Sequence, residues 1–385
     1  MAVRPETLLA RRASDGGSVI AVTILAQGAK AAIEQALVHT KFASAVELRI
    51  DGWETITESN LRSALQELQK HFETVILTLR MKADGGLYDG TRSDRNQLLH
   101  ECVQKLPAQI YVDVEIEQLG DQDDAALVQC VQKCGGKIIR SAHVFEPGMD
   151  VAVFERMRLV PADEIPKLAV MPASTGDLLQ LLQFARGYRF GRQIILGMGE
   201  WGIPSRICPS VFGSLWTYAS NGKKAAAPGQ ICPEEMVRRF RTDMHGPDTR
   251  YFAIFGNPVM HSRSPDFHNQ RFEQEGQNAA YLIFPLSSAA EGHDVIQQWP
   301  LEGVSVTIPY KNDILKWPGA VVEDSAAAVG AANTAVCDYL PAHRGQNLHL
   351  LNTDVGGFLH ALREKDFPFS QARCLVIGAG GAARA

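Results

Sequence analysis

The chain has 385 residues, so two domains are expected, and its 45% apolar and 21% charged composition is ordinary for a globular protein. A net charge of -5 with both signs interspersed argues against a nucleic-acid or membrane-surface partner, and the longest apolar runs are strand-length, too short to span a bilayer. The seven cysteines are scattered; Cys130 and Cys134 share a predicted helix face but lack a second ligand pair, so reduced thiols, no metal and a cytoplasmic location are expected.

Residues 1–17, MAVRPETLLARRASDGG, have no apolar core and read as a flexible leader, not a signal peptide. From Val19 to about Ala219, β-rich runs alternate with helical stretches: SVIAVTI, AVELRID, TVILTLR, QIYVDVEI, KIIRSAH, KLAVM, QIILGM and FGSLWTY. Such alternation predicts parallel strands joined by crossover helices, and eight units over residues 18–240 fit an α/β (β/α)8 TIM barrel. An open doubly wound sheet is the competing topology.

Strand parity sorts the charged side chains from the apolar ones. In VELRID, Val46, Leu48 and Ile50 share one face, and Glu47, Arg49 and Asp51 the other. In YVDVEI, Val112, Val114 and Ile116 oppose Asp113 and Glu115. Helices must cover the apolar face, so the charged face is expected inside the barrel. Thr78, Arg80, Ser141 and His143 continue the pattern toward the C-terminal strand ends, where barrel active sites lie. A plug of structural ion pairs is the bland alternative.

Lys167 stands within an otherwise apolar strand. Desolvation and nearby arginines are expected to lower its pKa, leaving an amine that attacks a ketone to form a Schiff base. The iminium makes the adjacent C–H removable, and His143, which ordinarily titrates near neutrality, is the expected base.

VELRID, LRMKADGG, SAHVF, PKLAVMP, GIPSRICPSVFGSLWTY and AAPGQI stand in the order and spacing of type I 3-dehydroquinate dehydratase, which this region resembles. The resemblance implies cofactor-free dehydration of 3-dehydroquinate to 3-dehydroshikimate, with the imine on Lys167 and His143 as general acid/base. It implies that Glu47 orients His143 and the substrate, that Arg49, Arg80 and Asp84 bind substrate, and that Arg206 clamps its carboxylate. Gln230 falls in the closing loop, Met198 is expected to line the pocket, and a homodimer through the barrel is implied. Asp84 replaces the family's usual glutamate and Ala226 a common serine, so shorter reach and a lost hydroxyl contact are expected.

Residues 241–250, within RRFRTDMHGPDTR, read as a linker, and residues 251–370 as a second α/β domain. Its strands are YFAIFG, AAYLIFPL and GVSVTIP, with a helix that Ser264 caps, Pro265 opens and Gly276 ends. Ser262, Ser264, Thr307, Lys311, Asn333 and Asp354 sit in loops and at strand ends, where any one alone reads as a cap or a solvated group. Together, GNPVMHSRSPDFHN, GVSVTIPYK, VGAANTAV and NTDVGGF resemble the substrate half of shikimate dehydrogenase. That implies NADP-linked reduction of 3-dehydroshikimate to shikimate. Ser262 and Ser264 would bind the ring carboxylate, and Thr307, Asn333 and Asp354 the ring hydroxyls. Lys311 and Asp354 would face the reacting carbonyl, Lys311 as proton donor. Ser305 replaces the asparagine of NVTVP and loses an amide contact.

Residues 371–385 contain CLVIGAGGAARA, which reads as the first strand and turn of a Rossmann domain. Gly378, Gly380, Gly381 and Ala383 would form the turn on which a pyrophosphate sits. With the remaining NADP-binding units not in the sequence, dehydrogenase activity is expected to be absent, and the apolar run to be disordered or sticky. Two rival readings are a class I aldolase-type barrel and a non-catalytic quinate- or shikimate-sensing regulator. The SRICPSVFGS and APGQ runs disfavour the first; the presence of Lys167, His143, Lys311 and Asp354 disfavours the second.

Overall fold

The computed structural model describes residues 17–104, 110–116, 122–189, 191–223, 226–337 and 348–378. The chain divides into two units, Met1–Ala173 with Gln180–Asp248 and Ser174–Leu179 with Thr249–Ala385.

In the first unit eight strands form one parallel sheet in the order β7-β6-β5-β4-β3-β2-β1-β8. They are β1 (Val19–Leu25), β2 (Ala45–Arg49), β3 (Thr74–Thr78), β4 (Tyr111–Glu115), β5 (Lys137–Pro147), β6 (Ile165–Met171), β7 (Ile194–Gly197) and β8 (Trp216–Ser220). The sheet curls until its ends meet: a parallel bridge joins Gln193 to Ser214, and Leu215 N–H donates to Gln193 O at 2.8 Å. The buried Gln193 amide fixes that seam by donating to Ala185 O at 2.7 Å and Phe212 O at 2.8 Å. The result is a nearly closed barrel. The eighth strand begins at Trp216, later than FGSLWTY predicts. Pro209 starts a 3-10 turn that consumes Phe212, and Gly213, at φ 59, ends it.

Alternation sorts the strand side chains. Val46, Leu48 and Ile50 pack outward with Leu61 and Leu65 of the helix Glu58–Leu68. Ala45, Ile76, Ile139, Ile194 and Trp216 fill the lower barrel interior. Two residues further along, β2, β3, β5 and β8 carry Glu47, Thr78, Ser141 and Tyr218 on the same inward face while β7 carries Leu196, so a largely polar layer lies above an apolar floor.

The second unit is a six-stranded mixed sheet in the order β10-β9-β11-β13-β14-β12. Its strands are β9 (Arg250–Gly256), β10 (Ala279–Pro285), β11 (Leu301–Val306), β12 (Ala320–Val322), β13 (Thr334–Cys337) and β14 (Leu348–Leu351). β9, β10 and β11 run parallel, β13 is antiparallel to β11, and β14 is antiparallel to β13. The end of β11, the start of β13 and the end of β14 therefore meet at one edge, with Ser305 opposite Thr334 and Thr334 opposite Leu351.

One expectation fails here. Ser264 does not cap its helix: it is the first residue of Ser264–Gln274, and its N–H donates to Ser262 Oγ at 3.2 Å. The run Cys374–Ile377 forms no strand; Leu375 and Ile377 are 85% and 90% exposed, because no described strand pairs with them. All seven cysteines are free thiols.

Candidate active site

At the C-terminal strand ends of the barrel a pocket brings together Glu47, Arg49, Arg80, His143, Lys167 and Arg206. Strand parity places Glu47, Arg49, His143 and Lys167 inward, Arg80 follows the end of β3, and Arg206 comes from the helix Ile203–Ile207.

Lys167, on β6, is only 4% exposed. Its Nζ lies 2.8 Å from Asp113 Oδ2, 3.4 Å from Glu47 Oε1 and 4.2 Å above the Tyr218 ring centre. Burial pulls its pKa down, but Asp113 and Glu47 outweigh burial, and the net displacement is upward. This corrects the expectation of a lowered value: inward carboxylates, not arginines, are the nearest charges. Burial likewise pushes the Asp113 carboxyl up, while Arg80 and Lys167 more than reverse this and hold it well below the usual range.

His143, on β5, is pushed well below its ordinary value by burial and by the neighbouring Arg80 and Lys167 cations. This downward displacement runs against the expectation of an imidazole that titrates near neutrality. Its Nδ1 is buried with no hydrogen-bond partner, and its ring stacks on Phe145 at 6.3 Å. Glu47 does not orient it. The two Glu47 oxygens accept from Thr23 at 2.9 Å and Thr78 at 3.0 Å, and the remaining contact is to Lys167.

Arginines differ sharply in what they meet. Arg49 is forked onto Asp51 with both contacts at 2.7 Å. Arg80 lies 2.9 Å from Asp113 and 3.1 Å from Glu115. Arg206, 1% exposed, meets no carboxylate among the described residues. Its Nη1 and Nη2 donate to Tyr218 O at 3.4 Å and Pro228 O at 3.3 Å, its Nε has no partner, and burial lowers its pKa to about 10. A charged fork is thus held dry and open toward the pocket, suited to an anionic ligand.

Asp84 lines the pocket from the 3-10 turn Lys82–Asp84. The Gly-Gly after it is sterically required: Gly85 has φ 76, and a Cβ on Gly86 would lie 2.1 Å from Arg80 O. Gln230 folds back on its own loop, accepting from Ala226 N at 2.9 Å and reaching Thr23 Oγ1 at 3.4 Å. Met198 does not line the pocket; it is wholly buried in the apolar interior, and Leu196, two residues earlier on the same face, takes that place. Asp113, Thr23 and Tyr218 are the residues that sequence reasoning left without a role, although each shows inward parity on its strand.

In the second unit, Lys311 Nζ lies 2.6 Å from Asp354 Oδ2. Asn333 Oδ1 accepts from Thr353 N at 2.9 Å, and Asn333 O accepts from Val306 N at 2.7 Å, next to Thr307. Thr307, Lys311, Asn333 and Asp354 are thus gathered at the sheet edge where β11, β13 and β14 meet. Ser262 Oγ donates to Ser264 Oγ at 3.2 Å. Ser305 Oγ is engaged by Tyr281 Oη at 2.7 Å. Of the proposed NADP turn, Gly378 has φ 119, and Gly380, Gly381 and Ala383 lie outside the described residues. The described residues build no cradle for a dinucleotide. Among them, no group of His, Cys, Asp or Glu could hold a metal ion, and no helix is long and apolar enough to cross a membrane.

Residues 20–246 match the type I 3-dehydroquinase family, and residues 254–335 match the shikimate dehydrogenase substrate binding domain. The bifunctional 3-dehydroquinate dehydratase/shikimate dehydrogenase, chloroplastic, of Arabidopsis thaliana is 28% identical and covers 96% of this chain. The chain spans 62% of that relative's length. The shikimate biosynthesis protein AroDE of Chlamydia pneumoniae is 26% identical over 91% of this chain and 69% of its own. Among solved structures, the type I 3-dehydroquinate dehydratase of Clostridium difficile with covalently modified comenic acid is 26% identical, with a TM-score of 0.50, over 57% of this chain and 90% of that one.

Proposed function

The chain belongs to the type I 3-dehydroquinase family, and from that premise we propose that its first unit dehydrates 3-dehydroquinate to 3-dehydroshikimate through an imine on Lys167. The observation that carries this reading is the pocket's combination of a dry lysine, a buried histidine whose Nδ1 has no hydrogen-bond partner among the described residues, and a guanidinium, Arg206, that meets no carboxylate among them.

Arg206 takes the substrate carboxylate, and Arg49, Arg80 and Asp84 hold its ring from the facing wall. The Lys167 ammonium lends a proton to His143, and the freed amine adds to the ketone. His143 returns that proton to the carbinolamine hydroxyl, which leaves as water and forms an iminium. Ammonium plus ketone thus becomes iminium plus water, with the positive charge on the same nitrogen. Asp113 and Glu47, which raise the lysine pKa, stabilise that cation through the cycle. His143 then removes the proton beside the iminium carbon, and the C–H electrons move to nitrogen as an enamine. The enamine expels the β-hydroxyl, which His143 protonates, so a second water leaves. Hydrolysis of the conjugated iminium consumes one water and restores the ammonium, for a net loss of one water.

The second unit is proposed to bind the product. Ser262 and Ser264 take its carboxylate, Thr307, Asn333 and Asp354 its hydroxyls, and Lys311 holds a proton at the carbonyl against Asp354. The family matches in both units favour these readings over an aldolase or a sensor. A homodimer through the barrel and a reducing, cytoplasmic compartment complete the proposal, the latter supported by the free cysteines.

Incubation with 3-dehydroquinate tests the first reading: appearance of the conjugated enone absorbance supports it, and an unchanged spectrum contradicts it. Titration with shikimate tests the second: saturable binding that Lys311→Ala weakens supports it, and no binding contradicts it.

A further inference from the structure

An unbroken file of buried charges runs from the pocket floor into the helical layer around the barrel. It begins at Lys167 and Asp113, 2.8 Å apart, and passes to Arg80, 2.9 Å from Asp113 and 3.1 Å from Glu115 Oε1. The other Glu115 oxygen meets Arg95 Nη1. Arg95 donates to Asn96 Oδ1 at 2.7 and 3.0 Å, and Asn96 donates to Asp124 at 2.7 Å. Asp124 is 2.8 Å from Arg140, which is forked onto Glu164.

Arg95 is the unusual member. It comes from the helix Arg92–Val103, outside the strands, yet it is 0% exposed. An arginine on an outer helix ordinarily carries its charge to water. Burying it in ion pairs is weak evidence of stabilisation, since apolar replacements of such pairs are often neutral or better. What Arg95 does hold is the posture of Glu115. One Glu115 oxygen serves Arg80 Nη1 and the Met81 N–H, and Arg95 occupies the other. Without Arg95, both oxygens become free to fork onto Arg80 and draw it from Asp113 and the pocket wall.

We propose that Arg95 is a positioning residue of the dehydratase: it keeps Glu115 on a single Arg80 nitrogen and so keeps the Arg80 guanidinium aimed at substrate. This rests on the dehydratase reading above. The test compares kcat, KM for 3-dehydroquinate and thermal unfolding in the full chain, Arg95→Met, Arg95→Lys and Arg140→Met, the last cutting the same file beyond Asp124.

Arg95→Met is expected to raise KM roughly 10-fold or more while kcat changes less, because ground-state and transition-state binding are lost together. Arg95→Lys recovers part of the loss, and Arg140→Met lowers the unfolding temperature without moving KM. Should Arg95→Met not fold, the KM of Arg95→Lys decides, and a raised value supports the role. An unchanged KM in the Arg95 variants, equal KM effects at Arg95 and Arg140, or failure of Arg95→Lys to fold each overturns it. A wild-type chain that turns over no 3-dehydroquinate overturns the dehydratase reading and this proposal together.

Discussion

Lys167 Nζ, on β6, lies 2.8 Å from Asp113 Oδ2, on β4, across the intervening β5, although the two residues are 54 positions apart in sequence. The nucleophile proposed for the reaction is therefore stored as a cation with its counter-ion in contact. Asp113→Asn removes the nearest attraction, so Lys167 titrates lower and the iminium loses its counter-charge. A fall in kcat on the order of 10²-fold is expected, the size typical of removing one preorganised electrostatic partner. The pH dependence of imine formation should shift to lower pH. An unaltered kcat with an unaltered pH–rate profile contradicts this.

Arg206 offers the opposite case, a buried fork without a carboxylate among the described residues. Arg206→Met should separate stability from function. Removing the unpaired charge is expected to raise stability by roughly 1 kcal/mol or more. Loss of a charge-assisted pair to substrate is expected to lower kcat/KM by about 10²-fold or more. Urea unfolding beside steady-state kinetics checks both, and a variant that is less stable and fully active contradicts the assignment.

Gly86 has no room for a side chain, since a Cβ would stand 2.1 Å from Arg80 O and 2.6 Å from Arg80 Cβ. Gly86→Ala should destabilise by about 1–3 kcal/mol and raise KM through displacement of Arg80. Gly28→Ala, where a Cβ meets nothing within 4 Å, serves as the control without a steric clash, its cost limited to the smaller loss of a glycine N-cap. Equal unfolding midpoints for the two variants would count against this account of the glycine turn.

His245 is buried beside Cys208 Sγ at 3.3 Å and the Phe240 carbonyl at 2.9 Å, and burial lowers its pKa to about 4. A histidine whose folded pKa lies below its unfolded value of about 6.5 binds more protons when unfolded. Its contribution is complete above that unfolded value and is lost as pH falls toward about 4. The loss amounts to roughly 3 kcal/mol. His245→Gln should flatten the stability-versus-pH curve in that window. A curve that keeps its slope contradicts the assignment.

The barrel was legible because period-two alternation and the strand–helix rhythm are local signals. Glu47, Arg49, Arg80, His143 and Lys167 stood on the polar side of that alternation, and the structure gathers all of them in one pocket. What they touch was not legible. The sign of the Lys167 shift depends on Asp113 from another strand, and the Glu47 partners Thr23 and Thr78 are likewise non-local. Arg95 carries no local signal, because RSDRNQLLHECV reads as a polar helix and burial is decided by Glu115 beyond it. CLVIG has strand-like residues, but strand character requires a neighbour, and no described strand provides one.

Borohydride reduction in the presence of 3-dehydroquinate, followed by peptide mass mapping, tests the proposed chemistry most directly. The account predicts a stable adduct on the peptide bearing Lys167, loss of turnover as it accumulates, and neither adduct nor turnover in Lys167→Met. An adduct at a different lysine, or dehydration that continues at its normal rate in Lys167→Met, would contradict it.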